Sequence, residues 1–162
     1  MSLTELSSPT LARSRKTGAF ASYTQVRVSD AAEFWHRYAD AFMRRDFERW
    51  GELWAEDGRY VVAFPIPGTP SALEGRETIV SVMQGMTDRV GAMRMADPVV
   101  HETREPGVFF VEYRIEVDVP GGETYRNACC ARVTVHEGEV TEVLEYYDPG
   151  AYSRFVRSLN LA

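Results

Sequence analysis

The chain has 162 residues, 44% hydrophobic and 12% aromatic, the composition of one well-packed domain able to bury roughly 70% of its unfolded surface. Its formal charge of −6 argues against nucleic acid and against anionic membrane surfaces as partners. No apolar run reaches the length of a membrane span and no hydrophobic signal core opens the sequence, so a cytoplasmic protein is expected.

The charge is unevenly spread. Residues 1–28 carry Arg13, Arg15, Lys16 and Arg27 against Glu5, a net of +3 that leaves −9 on the remainder. That stretch is Ser/Thr-rich without apolar periodicity and reads as a flexible N-terminal arm, followed by a single domain over residues 29–162. From Ser29, with Ser29 or Asp30 as cap, Ala31, Phe34/Trp35, Tyr38 and Ala41/Phe42 recur at helical spacing. Asp46 opens a second short helix with Phe47, Trp50 and Leu53/Trp54 on its apolar side, ended by the turn Glu56-Asp57-Gly58.

Tyr60 to Phe64 reads as a short strand, stopped by the rigid loop Pro65 to Pro70. A third helix follows Gly75, with Ile79, Val82/Met83 and Met86 inward. Strand patterns then run near 94–104, 108–119, 124–136 and 139–148, the last three joined by turns at Pro120-Gly121-Gly122 and Glu137-Gly138. A helical turn or two over 149–160 ends the chain. Helices first and strands afterwards predict an α+β fold, with the helices over one face of a curved antiparallel sheet.

Alternation assigns the faces. Glu145 shares one face with Thr141, Val143 and Tyr147, and a carboxylate among apolar and aromatic neighbours is costly unless it is paired or working. On 124–136, Asn127, Cys129, Ala131, Val133 and Val135 share a face that suits a cavity, with Asn127 as its polar handle. On 108–119 the same rule sends Phe109, Val111, Tyr113 and Ile115 inward and Glu112 and Arg114 to solvent. Cys129 and Cys130 are adjacent and point to opposite faces, so they do not pair with each other and a reducing compartment fits. Cys129 faces the cavity as a candidate nucleophile without a histidine placed to activate it. His36, His101 and His136 show no metal-ligand spacing. Met83 and its neighbours Met86, Met93 and Met95 either fill the core or line a cavity for a flexible apolar ligand.

This order of elements resembles the cone-shaped fold (a cystatin-like α+β barrel) shared by nuclear transport factor two, ketosteroid isomerase, limonene epoxide hydrolase and the SnoaL-like polyketide cyclases. Three segments carry the resemblance: Arg45-Asp46-Phe47 through Leu53 to Gly58, Leu73 to Ile79, and Tyr125-Arg126-Asn127 with Gly138 and Glu145-Tyr146-Tyr147-Asp148-Pro149. They cover about residues 30–150. The resemblance implies a sheet curled around a cavity that the helices cap, with inward side chains that differ between branches.

The branches map differently onto this chain. The ketosteroid isomerase branch implies that Tyr38 donates to an oxyanion. The base expected near Val62 or Phe64 and the second donor expected near Ala131 are missing. The limonene epoxide hydrolase branch implies a base at Glu145 and a water-holding tyrosine at Tyr60, but Val62 stands where an asparagine is expected. It also implies that Glu112 and Arg114 face inward, against the alternation. Phenazine-biosynthesis relatives again imply a working carboxylate at Glu145. Against these roles stand a core tyrosine at position 38 and an ion-paired glutamate at a dimer seam at position 145.

The reading that results is a cofactor-independent and metal-free acid/base enzyme, an isomerase or cyclase, acting as a homodimer on a small hydrophobic oxygen-bearing molecule in secondary metabolism. Glu145 transfers the proton, Tyr38 and Tyr60 hold the substrate oxygen, Asn127 orients it, and Trp35, Phe64 and Tyr147 form the apolar wall. An epoxide hydrolase or epoxide-opening cyclase is the alternative chemistry, and a small-molecule binding module the alternative without chemistry.

Overall fold

The computed structural model describes residues 28–159, so the arm expected at the N-terminus lies outside the described residues but for its last position. Helix α1 (Val28–Met43) buries Ala31, Phe34, Trp35, Tyr38 and Ala41, one stripe at helical spacing. Helix α2 (Phe47–Gly51) is capped by the Asp46 carboxylate, which accepts from the Arg49 backbone N–H at 3.2 Å. It ends earlier than its apolar pattern suggests, because Trp54 already opens strand β1 (Trp54–Val62). Glu56-Asp57-Gly58, expected as the terminating turn, runs inside that strand, where a register shift between Trp54 and Arg59 marks an irregularity. Gly58 is needed there, since a Cβ would fall 2.8 Å from the Trp54 ring.

After the short strand β2 (Ala72–Glu74) comes helix α3 (Arg76–Thr87), burying Ile79, Met83 and Thr87. Four long strands follow: β3 (Met93–Glu102), β4 (Val108–Asp118), β5 (Thr124–His136) and β6 (Glu139–Tyr146). They form the expected antiparallel meander. The sheet as a whole departs from expectation, because β1 lies parallel to β6 and the order is β2-β1-β6-β5-β4-β3. It is therefore a mixed, curved sheet, and with β2 and β3 left as edges it does not close into a barrel. The parallel pairing is possible because α3 and the meander carry the chain around between the two strands.

The tail is a ten-residue helix, α4 (Pro149–Ser158), longer than the turn or two expected. Pro149 sits in its first turn and the Asp148 carboxylate accepts from the Gly150 N–H at 2.8 Å. Phe155, Val156 and Leu159 pack with Val117 and Val119 from β4 and the segment after it. The helices cover the concave face, where Phe109, Val111, Val133, Val140 and Val143 are sealed from solvent.

Candidate active site

Alternation along β6 turns Val143 and Glu145 inward and Leu144 and Tyr146 outward. The Glu145 side chain is buried, with Ala131 beside it on β5 and Val62 beside it on β1. Among the described residues no basic side chain pairs with it. Its hydrogen-bond partner is the Tyr113 hydroxyl, which donates to Oε1. Tyr113 lies opposite Cys129 and Val111 opposite Ala131, so the donor stands diagonally across β5 from the acid. The small side chain of Ala131 leaves this diagonal open.

Burial pushes the Glu145 carboxyl up to about 8. Burial also raises the Tyr38 and Tyr152 hydroxyls, and in both cases the Glu145 charge adds to the rise, which places both tyrosines within its electrostatic reach. Trp35 links the group: its ring stacks on Tyr38 with centroids 5.3 Å apart and packs against Tyr113 at 5.4 Å.

These side chains line a cavity of about 470 Å³, a size that suits a small molecule. Its wall is rich in aromatic and methionine side chains, and among the described residues Glu145 and Arg89 are its charged ones. Of the residues expected from the sequence, Glu145, Tyr38, Tyr60, Trp35, Tyr147, Cys129 and Met83 all lie in this wall. Burial pushes the Cys129 thiol up to about 12, which keeps it protonated and unsuited to nucleophilic attack.

Four expected residues lie elsewhere. Phe64 follows the end of β1, where the chain bends into the proline loop. Its ring is 58% exposed and packs edge-on against the outward Tyr146. Glu112 and Arg114 obey the alternation and face solvent on the convex side, opposite His101 at 3.7 Å and Asp97 at 3.3 Å. Asn127 is buried, but its amide is consumed within the protein by the Tyr125 hydroxyl and the Asp148 backbone, so it is not a free handle in the cavity. Tyr113 is the site residue that the sequence reading left among the core residues. Its inward parity was legible, but its pairing with Glu145 depends on the register of three strands.

Among the described residues no three His, Cys, Asp or Glu side chains converge as a metal site would require, and no helix is long and apolar enough to cross a membrane.

A curved sheet, capping helices and an acid-bearing cavity define an α+β fold of the ketosteroid isomerase-like, nuclear-transport-factor-two-like class. The chain belongs to the SnoaL-like domain family, whose profile matches residues 35–143 and so stops two residues short of Glu145. Among solved structures it is similar to a provisionally named isomerase from Bacillus subtilis, at TM-score 0.72 and 18% identity over 79% of this chain and 93% of that one. A provisionally named polyketide cyclase from Xanthomonas campestris pv. campestris aligns at TM-score 0.64 and 25% identity, covering 78% of this chain and 96% of its own. TerC, co-crystallised with polyporic acid, aligns at TM-score 0.66 and 20% identity over 78% and 98%. No curated protein matches the sequence.

Proposed function

We propose that this protein is a cofactor-independent acid/base enzyme, an isomerase or cyclase, acting on a small hydrophobic molecule that carries an oxygen function. The observation that carries the reading is a buried carboxyl in the wall of an aromatic-rich cavity, bonded to one tyrosine hydroxyl and, among the described residues, to no cation. Such a group changes its protonation near neutral pH, as a general acid or base must. The names of the Bacillus and Xanthomonas neighbours and the ligand of TerC support the same direction.

In this mechanism Glu145 gives a proton to, or takes one from, the substrate. The Tyr113 hydroxyl steadies the carboxylate that remains after the proton leaves. Tyr38 and Tyr60 offer hydroxyls to the substrate oxygen, and Trp35 and Tyr147 hold its apolar body. Val62 stands beside Glu145 where a water-holding amide would be needed, which favours isomerisation or ring closure over epoxide hydrolysis.

The test uses 5-nitrobenzisoxazole, an apolar compound whose ring opens when a base removes its carbon-bound proton. The protein should accelerate that opening, and the rate should rise with pH, reach half its maximum near 8 and level off above it. Glu145→Gln should lose the acceleration; a variant as fast as the parent would refute the acid/base role and leave a binding module.

The homodimer forms, in this reading, through the convex face, where Phe64 is 58% and Val99 49% exposed near the outward Leu144 and Tyr146. Sedimentation at micromolar concentration that shows an 18 kDa species alone would contradict it.

A further inference from the structure

Asn127 is a buried amide on β5 whose hydrogen bonds all run to Tyr125 and Asp148. Its Nδ2 donates to the Tyr125 hydroxyl at 2.7 Å and to the Asp148 carbonyl at 3.1 Å, and its Oδ1 accepts from the Asp148 N–H at 3.0 Å. The last Cα pair of the β5–β6 ladder is Cys130 with Tyr146, so the Asn127 side chain takes over from the backbone just where the ladder runs out. It grips both the donor and the acceptor of one residue, as a neighbouring strand would. That residue is the cap of α4 and lies three positions beyond Glu145.

The grip is reinforced. Tyr125, which accepts from Asn127, stacks on Phe155 of α4 with centroids 4.5 Å apart and planes at 24°. Tyr147 packs on Tyr152 of α4 at 4.7 Å. Tyr147, Tyr152, Phe155 and Val156 are all cavity wall. Pro149 fixes one backbone angle at the first turn and donates no hydrogen bond there, so the Asp148 backbone is the point at which β5 holds the start of the helix.

We propose that Asn127 is a positioning residue that latches the start of α4 to β5 and so keeps the Glu145 end of the cavity closed to water. The proposal rests on the acid/base reading of Glu145 for its consequence, though not for its geometry. Among the described residues, the titratable and charged groups that line the same cavity are Tyr38 from α1, Tyr60 from β1, Arg89 beyond α3, Tyr113 from β4, Tyr125 and Cys129 from β5, Tyr147 beyond β6 and Tyr152 from α4. Burial raises Tyr38, Tyr113, Tyr125, Tyr147, Tyr152 and the Cys129 thiol, which leaves them uncharged near pH 7. No hydrogen bond or ion pair joins Arg89 to Glu145, so water reaching the carboxyl is the change that releasing the latch would bring.

The experiment is a carbon-13 titration of Glu145 in protein labelled at the glutamate carboxyls, assigned by its loss in Glu145→Gln. The parent carboxyl should titrate near 8. Asn127→Ala should bring it down by one unit or more, toward an ordinary glutamate, and Asn127→Ser, a shorter neutral side chain that keeps a polar oxygen, should fall between. Hydrogen exchange of the 149–158 amides should quicken in the same order while that of β4 and β5 holds. If Asn127→Ala lowers the melting temperature but leaves the carboxyl within a few tenths of a unit, the amide is merely structural and the proposal fails. Should Asn127→Ala not fold, the same comparison between Asn127→Ser and the parent decides it. The enzyme reading fails separately, when Glu145→Gln keeps the rate of 5-nitrobenzisoxazole opening.

Discussion

Glu142 and Glu145 stand three residues apart on one strand and face opposite worlds. Glu142, on the convex side, is gripped by Arg132 at 2.6 Å and Arg59 at 3.3 Å. Other carboxylates on that face are paired as well: a hydrogen bond from Arg126 holds the Glu116 carboxyl below its usual range, and Arg94 does the same for Asp118. Glu145, on the concave side, has a tyrosine and, among the described residues, no cation, and burial drives its carboxyl the other way. One strand thus carries a carboxylate paired with two guanidiniums and a buried carboxyl bonded to a tyrosine. The difference lies in the partners that the two faces supply.

The comparison breaks most visibly in turnover. Glu145→Gln should slow 5-nitrobenzisoxazole opening by about two to four orders of magnitude, while Glu142→Gln should leave it within a factor of about two in the same assay. A second break is in stability against pH. Glu145 binds its proton more tightly in the folded chain than in the unfolded one, so its contribution is fully present below about 4.5 and is lost as pH climbs toward 8. Each pH unit in that window costs about 1.4 kcal/mol at most. Urea denaturation at pH 5 and pH 8 should therefore show Glu145→Gln gaining on the parent at the higher pH, and a constant difference between the two would contradict the burial.

Tyr113→Phe sharpens the contrast by removing the donor that favours the ionised form of Glu145. The plateau of the pH–rate curve should move to higher pH, opposite in direction to Asn127→Ala, with turnover down about tenfold or more. An unmoved profile would mean that the hydroxyl does not govern the acid. The smallest effect belongs to the convex face, where Glu142→Gln should cost about 1 kcal/mol or less in denaturant melts, the usual worth of a partly exposed ion pair.

The helices at Ser29–Phe42 and after Gly75, the four long strands and the inward faces of β4 and β5 were legible, because periodicity of 3.6 or 2 records which side is buried, although Val82, read as inward on α3, is exposed. That same alternation places Glu112 and Arg114 outside, where analogy with one branch of the superfamily would have put them inside. The parallel pairing of β1 with β6 was not legible, since nothing local in residues 54–62 specifies a partner more than 80 residues away. Phe64 and Asn127 misled for a related reason. Parity gives the face of a strand residue, but it does not foresee where a strand ends or which buried amide the backbone will claim. Tyr113 escaped because its role depends on reaching past Cys129 and Ala131 to a third strand.

Ala131, between Val111 and Glu145, gives that reach a further meaning. Acid and donor sit two strand spacings apart, about 10 Å, with a third strand supplying only clearance. A hydrogen bond of this span cannot form in a lone hairpin; β4, β5 and β6 must all be docked in register before it exists. The site should therefore have no independent life in a partly assembled chain. Loss of activity on heating or in denaturant should coincide with the cooperative melting of the sheet, rather than run ahead of it as it would in a site built on a fraying loop.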